Sequence, residues 1–165
     1  MNMISRRNLI TGLAGLVAGV FVSKQASAKE SLETESFDDL RFPGDPTDHN
    51  VVYQFNKTSQ KYHDAVLFSA GEMLRKYGDN VTVVITVFGP GIHILAKKPT
   101  REVSEVNKQK VKSLASYGVK FHACGNTLDS LGWTKDDLYD FAEIVQVGAA
   151  DLLELQEKGY GYISL

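Results

Sequence analysis

The sequence predicts an α/β fold, a single-domain three-layer sandwich with a mostly parallel sheet of about five strands. Short apolar runs rich in β-branched residues lack the alternation of a strand with one solvated face, so they indicate a sheet that is covered on both sides. Segments with helical spacing of apolar residues separate these runs. That order is expected when helices connect parallel strands.

The first three elements follow from apolar spacing and turn residues. The run "NVVYQF" (50–55) is the first strand, and "VTVVITVF" (81–88) is the second. Between them we predict a helix with Ser59 as its N-cap and Gly78 as its stop. The apolar face of this helix consists of Tyr62, Val66, Ala70, Met73, Leu74 and Tyr77.

The second half of the domain continues the pattern. The loop "GPGIHILAKKP" leads to a helix from about Arg101 to Tyr117, with Thr100 as cap and Gly118 as stop. The remaining predicted elements are a strand "VKFHAC" (119–124), a short helix "NTLDSLG" capped by Asn126 and ended by Gly132, a strand "EIVQVG" (143–148), a helix "AADLLELQEKG" and a last strand "YGYISL".

Two segments precede this domain of residues 50–165. Residues 1–28 have the pattern of an export signal: a positive end, an apolar run Leu9–Val22 that is too short to span a membrane, and an Ala-Ser-Ala cleavage pattern. The arginine pair of "SRRNLI", with Lys24 before the cleavage site, favours twin-arginine export to the periplasm; the alternative is an ordinary secretory signal. Residues 29–49 are acidic and interrupted by Pro and Gly, which predicts an exposed arm or linker.

Charge and motifs exclude several function classes. Loss of the signal reduces the 18 basic residues to 15 against 20 acidic ones, and an acidic domain argues against nucleic acid as a partner. The sequence contains no phosphate loop, no nucleophile elbow and no dinucleotide fingerprint, so we expect no cofactor. A single cysteine cannot form an internal disulfide, which leaves the thiol free, capped or paired with another chain.

That cysteine, Cys124, ends the third predicted strand, and Gly125 and Asn126 lead into the short helix. The carboxyl ends of parallel strands are where α/β proteins place their chemistry, and a helix N-terminus lowers the pKa of a nearby thiol. His122 shares the same strand face and as a cation would act in the same direction. The alternatives are a Cys124 that only fills space under the helix and a neutral His122 that is hydrogen-bonded within the packing.

The glycine-rich loop is the second candidate at this edge. Gly89 and Gly91 permit close backbone approach and could present N–H groups to a ligand. His93 beside them could donate to a ligand or to the Cys124 site, or could lie in water. A copper or zinc site from Cys124, His122 and His93 would suit the chemistry of sulfur and imidazole, but metal-binding spacing is missing, so we predict none.

Three stretches carry a resemblance to a known family: "VTVVITVFGPGIHIL", "GVKFHACGNTLDSLGWTKDDL" and "VGAADLLELQEKGYGYISL". Together they resemble the DsrE/DsrF-like family with its YchN-type fold, over nearly all of residues 50–165. The resemblance implies a homo- or hetero-oligomeric, sulfur-handling protein in which a cysteine at this position carries a persulfide. That role maps onto Cys124 alone.

Two functions from different classes therefore stand. In the first, Cys124 takes sulfane sulfur from a sulfur compound and passes it to the thiol of a protein partner. In the second, the protein is a non-catalytic binding or assembly subunit with a small ligand between the Gly89 loop and Cys124. In both we expect a homo-oligomer without a stable membrane span.

Overall fold

The computed structural model describes Arg41 and residues 44–165; the predicted signal and most of the predicted arm lie outside the described residues. The strands are β1 (His49–Phe55), β2 (Val81–Val87), β3 (Lys120–Cys124), β4 (Ala142–Val145) and β5 (Gly161–Ile163). The α-helices are α1 (Gln60–Tyr77), α2 (Glu105–Ser116), α3 (Gly125–Leu131) and α4 (Gly148–Glu157). Two 3-10 helices cover Gly89–Leu95 and Lys135–Asp137.

The five strands form one parallel sheet in the order β4-β3-β2-β1-β5, which confirms the predicted fold class. The chain steps from β1 to β4 in one direction across the sheet and then returns past β1 to place β5 at the opposite edge. Because such crossovers are right-handed, the reversal puts α4 on the face opposite α1 and α2. The sheet is therefore a middle layer between two helical layers of unequal size.

The larger core lies on the α1 and α2 side. Alternate strand residues such as Tyr53, Phe55 and Ile85 are fully buried there, against the apolar face that was predicted for α1. In the part of the chain that the structure describes, the α4 side is thinner, since its buried apolar cluster consists of four residues: Val52, Val84, Leu152 and Leu155. The thin layer leaves room for polar side chains between α4 and the sheet.

Helix caps explain where prediction and structure agree and differ. Ser59 accepts a hydrogen bond from the N–H of Tyr62 and begins α1 as predicted, and Gly132 ends α3 in the left-handed conformation. The predicted start of α2 at about residue 101 is wrong. The side chain of Ser104 accepts a hydrogen bond from the N–H of Asn107, so the helix begins at Glu105.

One prediction about local structure is also wrong, because the segment "GPGIHIL" is a 3-10 helix rather than a loop. His63 is not part of the predicted apolar face of α1, yet it is 2% exposed, with its Nε2 2.9 Å from the carbonyl oxygen of Lys57. A backbone carbonyl near the end of β1 thus satisfies an imidazole nitrogen that would be costly to bury alone.

The described end of the predicted arm is tied to the sheet. The hydroxyls of Thr47 and Thr82 are 2.7 Å apart, and the N–H of Asp48 donates to Asn80 over 2.8 Å. These bonds fix the chain as it enters β1. Among the described residues, no helix is both long and apolar enough to cross a membrane.

Candidate thiol site at the ends of strands β3 and β4

Cys124 is the last residue of β3 and the N-cap of α3. Our prediction of Asn126 as the cap is wrong, because the helix begins directly after the strand with no intervening turn. The cysteine is 6% exposed, so its thiol lies under the surface of the carboxyl edge rather than on an open loop.

The hydrogen-bond partners of the Cys124 sulfur are better placed as donors to it than as acceptors from it. The N–H of Gly148, the first residue of α4, points to Sγ over 3.3 Å. In the other direction, the acceptor for the thiol proton among the described residues is the carbonyl oxygen of Gln146, at 4.0 Å, which is the outer limit for a sulfur donor. An environment with a good donor and a poor acceptor favours the thiolate over the thiol.

Strand order brings the sulfur and α4 together. β3 and β4 are neighbours, with Cys124 opposite Val145, so the start of α4 three residues later reaches the sulfur. Gly148 allows this approach, since a Cβ there would lie 3.2 Å from the Cβ of Cys124 and 3.1 Å from that of Phe88. A Cβ at Gly125 would likewise be 3.4 Å from the backbone of Gln146.

Thr127 links the sulfur to the glycine-rich segment. Its hydroxyl oxygen accepts from the N–H of Gly89 over 3.0 Å, which leaves the hydroxyl proton for Cys124. Burial raises the pKa of Cys124, but the Thr127 hydroxyl and the N–H groups of Gly148, Thr127 and Asn126 lower it by more, so the pKa is below that of an ordinary thiol. The thiolate is therefore the favoured form over a wider pH range than in an ordinary cysteine.

A buried polar network lies on the same side of the sheet as Cys124. Asp151 of α4 accepts a 2.6 Å hydrogen bond from the hydroxyl of Thr86, and its carboxylate lies 2.9 Å from Nδ1 of His122. Burial raises the pKa of Asp151, while the bonds to His122 and Thr86 lower it by more, so the pKa falls below the ordinary value. These hydrogen bonds attach α4 to β2 and β3. Asp151 lies three residues after Gly148, whose N–H contacts the sulfur.

The hydrogen-bonded alternative for His122 thus matches the structure, and the ring nitrogen near Asp151 does not contact the sulfur. Nε2 of His122 lies 4.0 Å from Glu143 at the sheet edge. Asp151 was not found from the sequence. The sequence does contain a feature that indicates it: Asp151 lies one helical turn before Leu155 and so shares the buried face of α4.

The other predicted residues lie around the 3-10 helix. His93 is 3% exposed and packs edge-on against Trp133 with 5.0 Å between ring centroids, so it is not a loop histidine in water. Gly91 is a packing position, because a Cβ there would be 2.5 Å from the carbonyl oxygen of Phe55. Within the described part of the chain, no group of three or more His, Cys, Asp or Glu side chains could hold a metal ion.

The fold and this site define a small parallel α/β protein with one buried strand-end thiol. The chain belongs to the DsrE/DsrF-like family, whose model matches residues 49–165. Membership suggests a role related to sulfur relay. No curated protein matches the chain.

A solved protein of unknown function from Methanobacterium thermoautotrophicum has the same fold. Its TM-score is 0.64 at 24% sequence identity, and the match covers 72% of this chain and 100% of that chain. At this identity the likeness supports the fold alone.

Proposed function

We propose that the protein carries sulfane sulfur as a persulfide on Cys124 and relays it to another thiol in the periplasm. The observation that carries this proposal is the set of donors at the sulfur, led by the N–H of Gly148 at 3.3 Å. A thiolate is the attacking form in sulfur exchange, and these donors favour it.

The proposed reaction needs no external oxidant or reductant. The Cys124 thiolate attacks the outer sulfur of a donor such as an inorganic polysulfide. A sulfur–sulfur bond forms at Cys124 while one in the donor breaks, and the departing sulfur keeps the electron pair. In the second half, the thiolate of an acceptor attacks the outer sulfur, and Cys124 leaves again as a thiolate.

Burial of the thiol fits a carrier. Cys124 is 6% exposed, which limits its contact with oxidants that would otherwise advance a thiolate towards sulfinic acid. A bound sulfur extends the side chain by one sulfur–sulfur bond, about 2 Å, and so brings the transferable atom nearer to an acceptor. His122, Asp151 and Thr86 act as positioning residues in this scheme, because they hold α4 over the sulfur.

The direct test is incubation of the native protein with polysulfide followed by intact-mass spectrometry. We expect one added sulfur on the wild type, removal of that sulfur by a small thiol, and no addition to Cys124→Ser. Because the chain has a single cysteine, the added mass needs no further mapping.

A parallel sample in denaturant serves as the accessibility control. Modification that occurs only after unfolding would show that Cys124 is a packing residue, and the proposal would then fail. The remaining function would be the binding or assembly role.

The periplasmic setting is itself a proposal, supported by the arginine pair of "SRRNLI" and by Lys24. Replacing Arg6 and Arg7 together with Lys should retain a folded precursor in the cytoplasm. A normal periplasmic yield from this double variant would refute the twin-arginine route.

A further inference from the structure

A cavity lies between the 3-10 helix Gly89–Leu95 and α3, and Thr127 is one of its lining residues. Its volume is about 300 Å³, at the lower end of the range of about 300–1,000 Å³ that is usual for ligand pockets. Polar groups of Gly89, His93, Arg101, Asn126, Thr127 and Ser130 contribute to its lining. Cys124 is not among the lining residues.

The cavity contains polar groups that lack protein partners. His93 is 3% exposed, and its buried Nδ1 has no hydrogen-bond partner within the described residues. The side-chain oxygen of Asn126 accepts from Gln146 over 2.8 Å, which leaves the Asn126 amide protons free to donate. A buried imidazole without a partner is costly, so its retention points to a ligand that completes its hydrogen bonding.

The charge in the cavity is positive. Arg101 lines it and has no carboxylate within ion-pair distance in the described part of the chain. No acidic residue contributes to the lining, and Glu102 and Asp129, which are close to lining residues in the sequence, are exposed. A guanidinium, an imidazole and an amide that line one small cavity form a donor set suited to an oxyanion.

We propose that this cavity binds a small tetrahedral oxyanion, of the size of sulfate, phosphate or thiosulfate. Arg101 supplies the charge, while His93 and Asn126 supply directed donors. The site does not depend on persulfide formation at Cys124, although Thr127 borders both.

Trp133 provides a local reporter. It is the only tryptophan in the chain and contacts the ring of His93. An oxyanion beside His93 favours the imidazolium, which quenches indole emission more strongly than the neutral ring. Binding in the cavity should therefore lower the fluorescence of Trp133, whereas binding elsewhere should not.

The experiment is titration of the purified protein with sodium sulfate, phosphate or thiosulfate at constant ionic strength set with sodium chloride, followed by calorimetry and by Trp133 fluorescence. We expect saturable heat and matching quenching with at least one of the three. Arg101→Gln should weaken binding by about tenfold or more, because a hydrogen bond with a charged partner is lost. A response to thiosulfate but not to sulfate or phosphate would identify the ligand class as an oxyanion with a sulfane sulfur.

Two variants separate this site from other effects. Lys98→Gln removes the same charge from an exposed residue that does not line the cavity, and it should bind like the wild type. Cys124→Ser should also retain binding while losing sulfur uptake, so the two proposals can fail independently. No saturable heat with any of the three anions, heat without a change at Trp133, or equal weakening by Arg101→Gln and Lys98→Gln would each overturn the oxyanion site.

Discussion

Removing the hydroxyl of Thr127 should make the Cys124 thiol less acidic. Thr127→Val keeps the shape of the side chain but deletes the group that donates to the sulfur and accepts from the N–H of Gly89 over 3.0 Å. A hydrogen bond with a charged partner contributes about 1.5–3 kcal/mol, and about 1.4 kcal/mol corresponds to a tenfold change in an acid equilibrium. The remaining donors are unchanged, so we take the lower end and expect the acid dissociation constant of the thiol to fall about tenfold.

The assay is the ultraviolet absorbance of the thiolate as a function of pH, which is unambiguous in a chain with one cysteine. Thr127→Ser retains the hydroxyl and should titrate close to the wild type. Ser130→Ala is a second control, because its hydroxyl bonds to the Thr127 carbonyl at 2.8 Å rather than to the sulfur.

An unchanged pKa of Cys124 in Thr127→Val would refute the assignment of the hydroxyl as a donor to the sulfur. A raised pKa in both Thr127→Val and Ser130→Ala would instead attribute the effect to movement of α3. Only a rise confined to the valine variant supports the reasoning.

Three further predictions concern α4 and the assembly. Gly148→Ala should lower the free energy of unfolding by about 1 kcal/mol in urea titrations, since overpacking costs about 1–3 kcal/mol and a helical alanine regains up to about 1 kcal/mol. Gly71→Ala is the control: the nearest atom to its added Cβ is 3.9 Å away, so this variant should be at least as stable as the wild type. The pKa of Asp151 is lowered in the folded state, so its contribution to stability is fully present above the unfolded pKa of about 3.9 and is lost as pH falls through the folded pKa. Asp151→Asn should therefore be less stable than the wild type at neutral pH but lose less stability on acidification. Equal loss of stability in acid for both proteins would contradict this. The exposed apolar side chains of α4 and β5 lead us to expect an oligomer, and a monomer mass by light scattering at micromolar concentration would count against it.

The sequence is sufficient for most of the fold because the signals are local. Ser59 and Gly132 mark helix ends through their own backbone and side-chain chemistry, and they hold in the structure. The start of α2 is predicted wrongly because Thr100 is also a residue type that caps helices, whereas Ser104 is the cap in the structure. Burial of Val103 ahead of the helix is a tertiary contact, and it accompanies the later start.

The site is harder to predict because its contacts are not local. Cys124 is recognisable from its place at a strand end, but its main donor, Gly148, belongs to another element. That contact depends on β3 and β4 being neighbours, and spacing along one sequence does not give strand order. Asp151 and His122 meet for the same reason, on the face of the sheet that α4 covers.

The position of β5 has a consequence for folding kinetics. β1 pairs with β5 through Val51 and Gly161, which come from opposite ends of the domain, so the sheet is complete only when the C-terminal segment has docked. Pairings that close long loops form slowly. The N–H of Gly148 belongs to this late segment, and we therefore expect the reactivity of Cys124 during refolding to change in the final phase, as α4 closes over the sulfur.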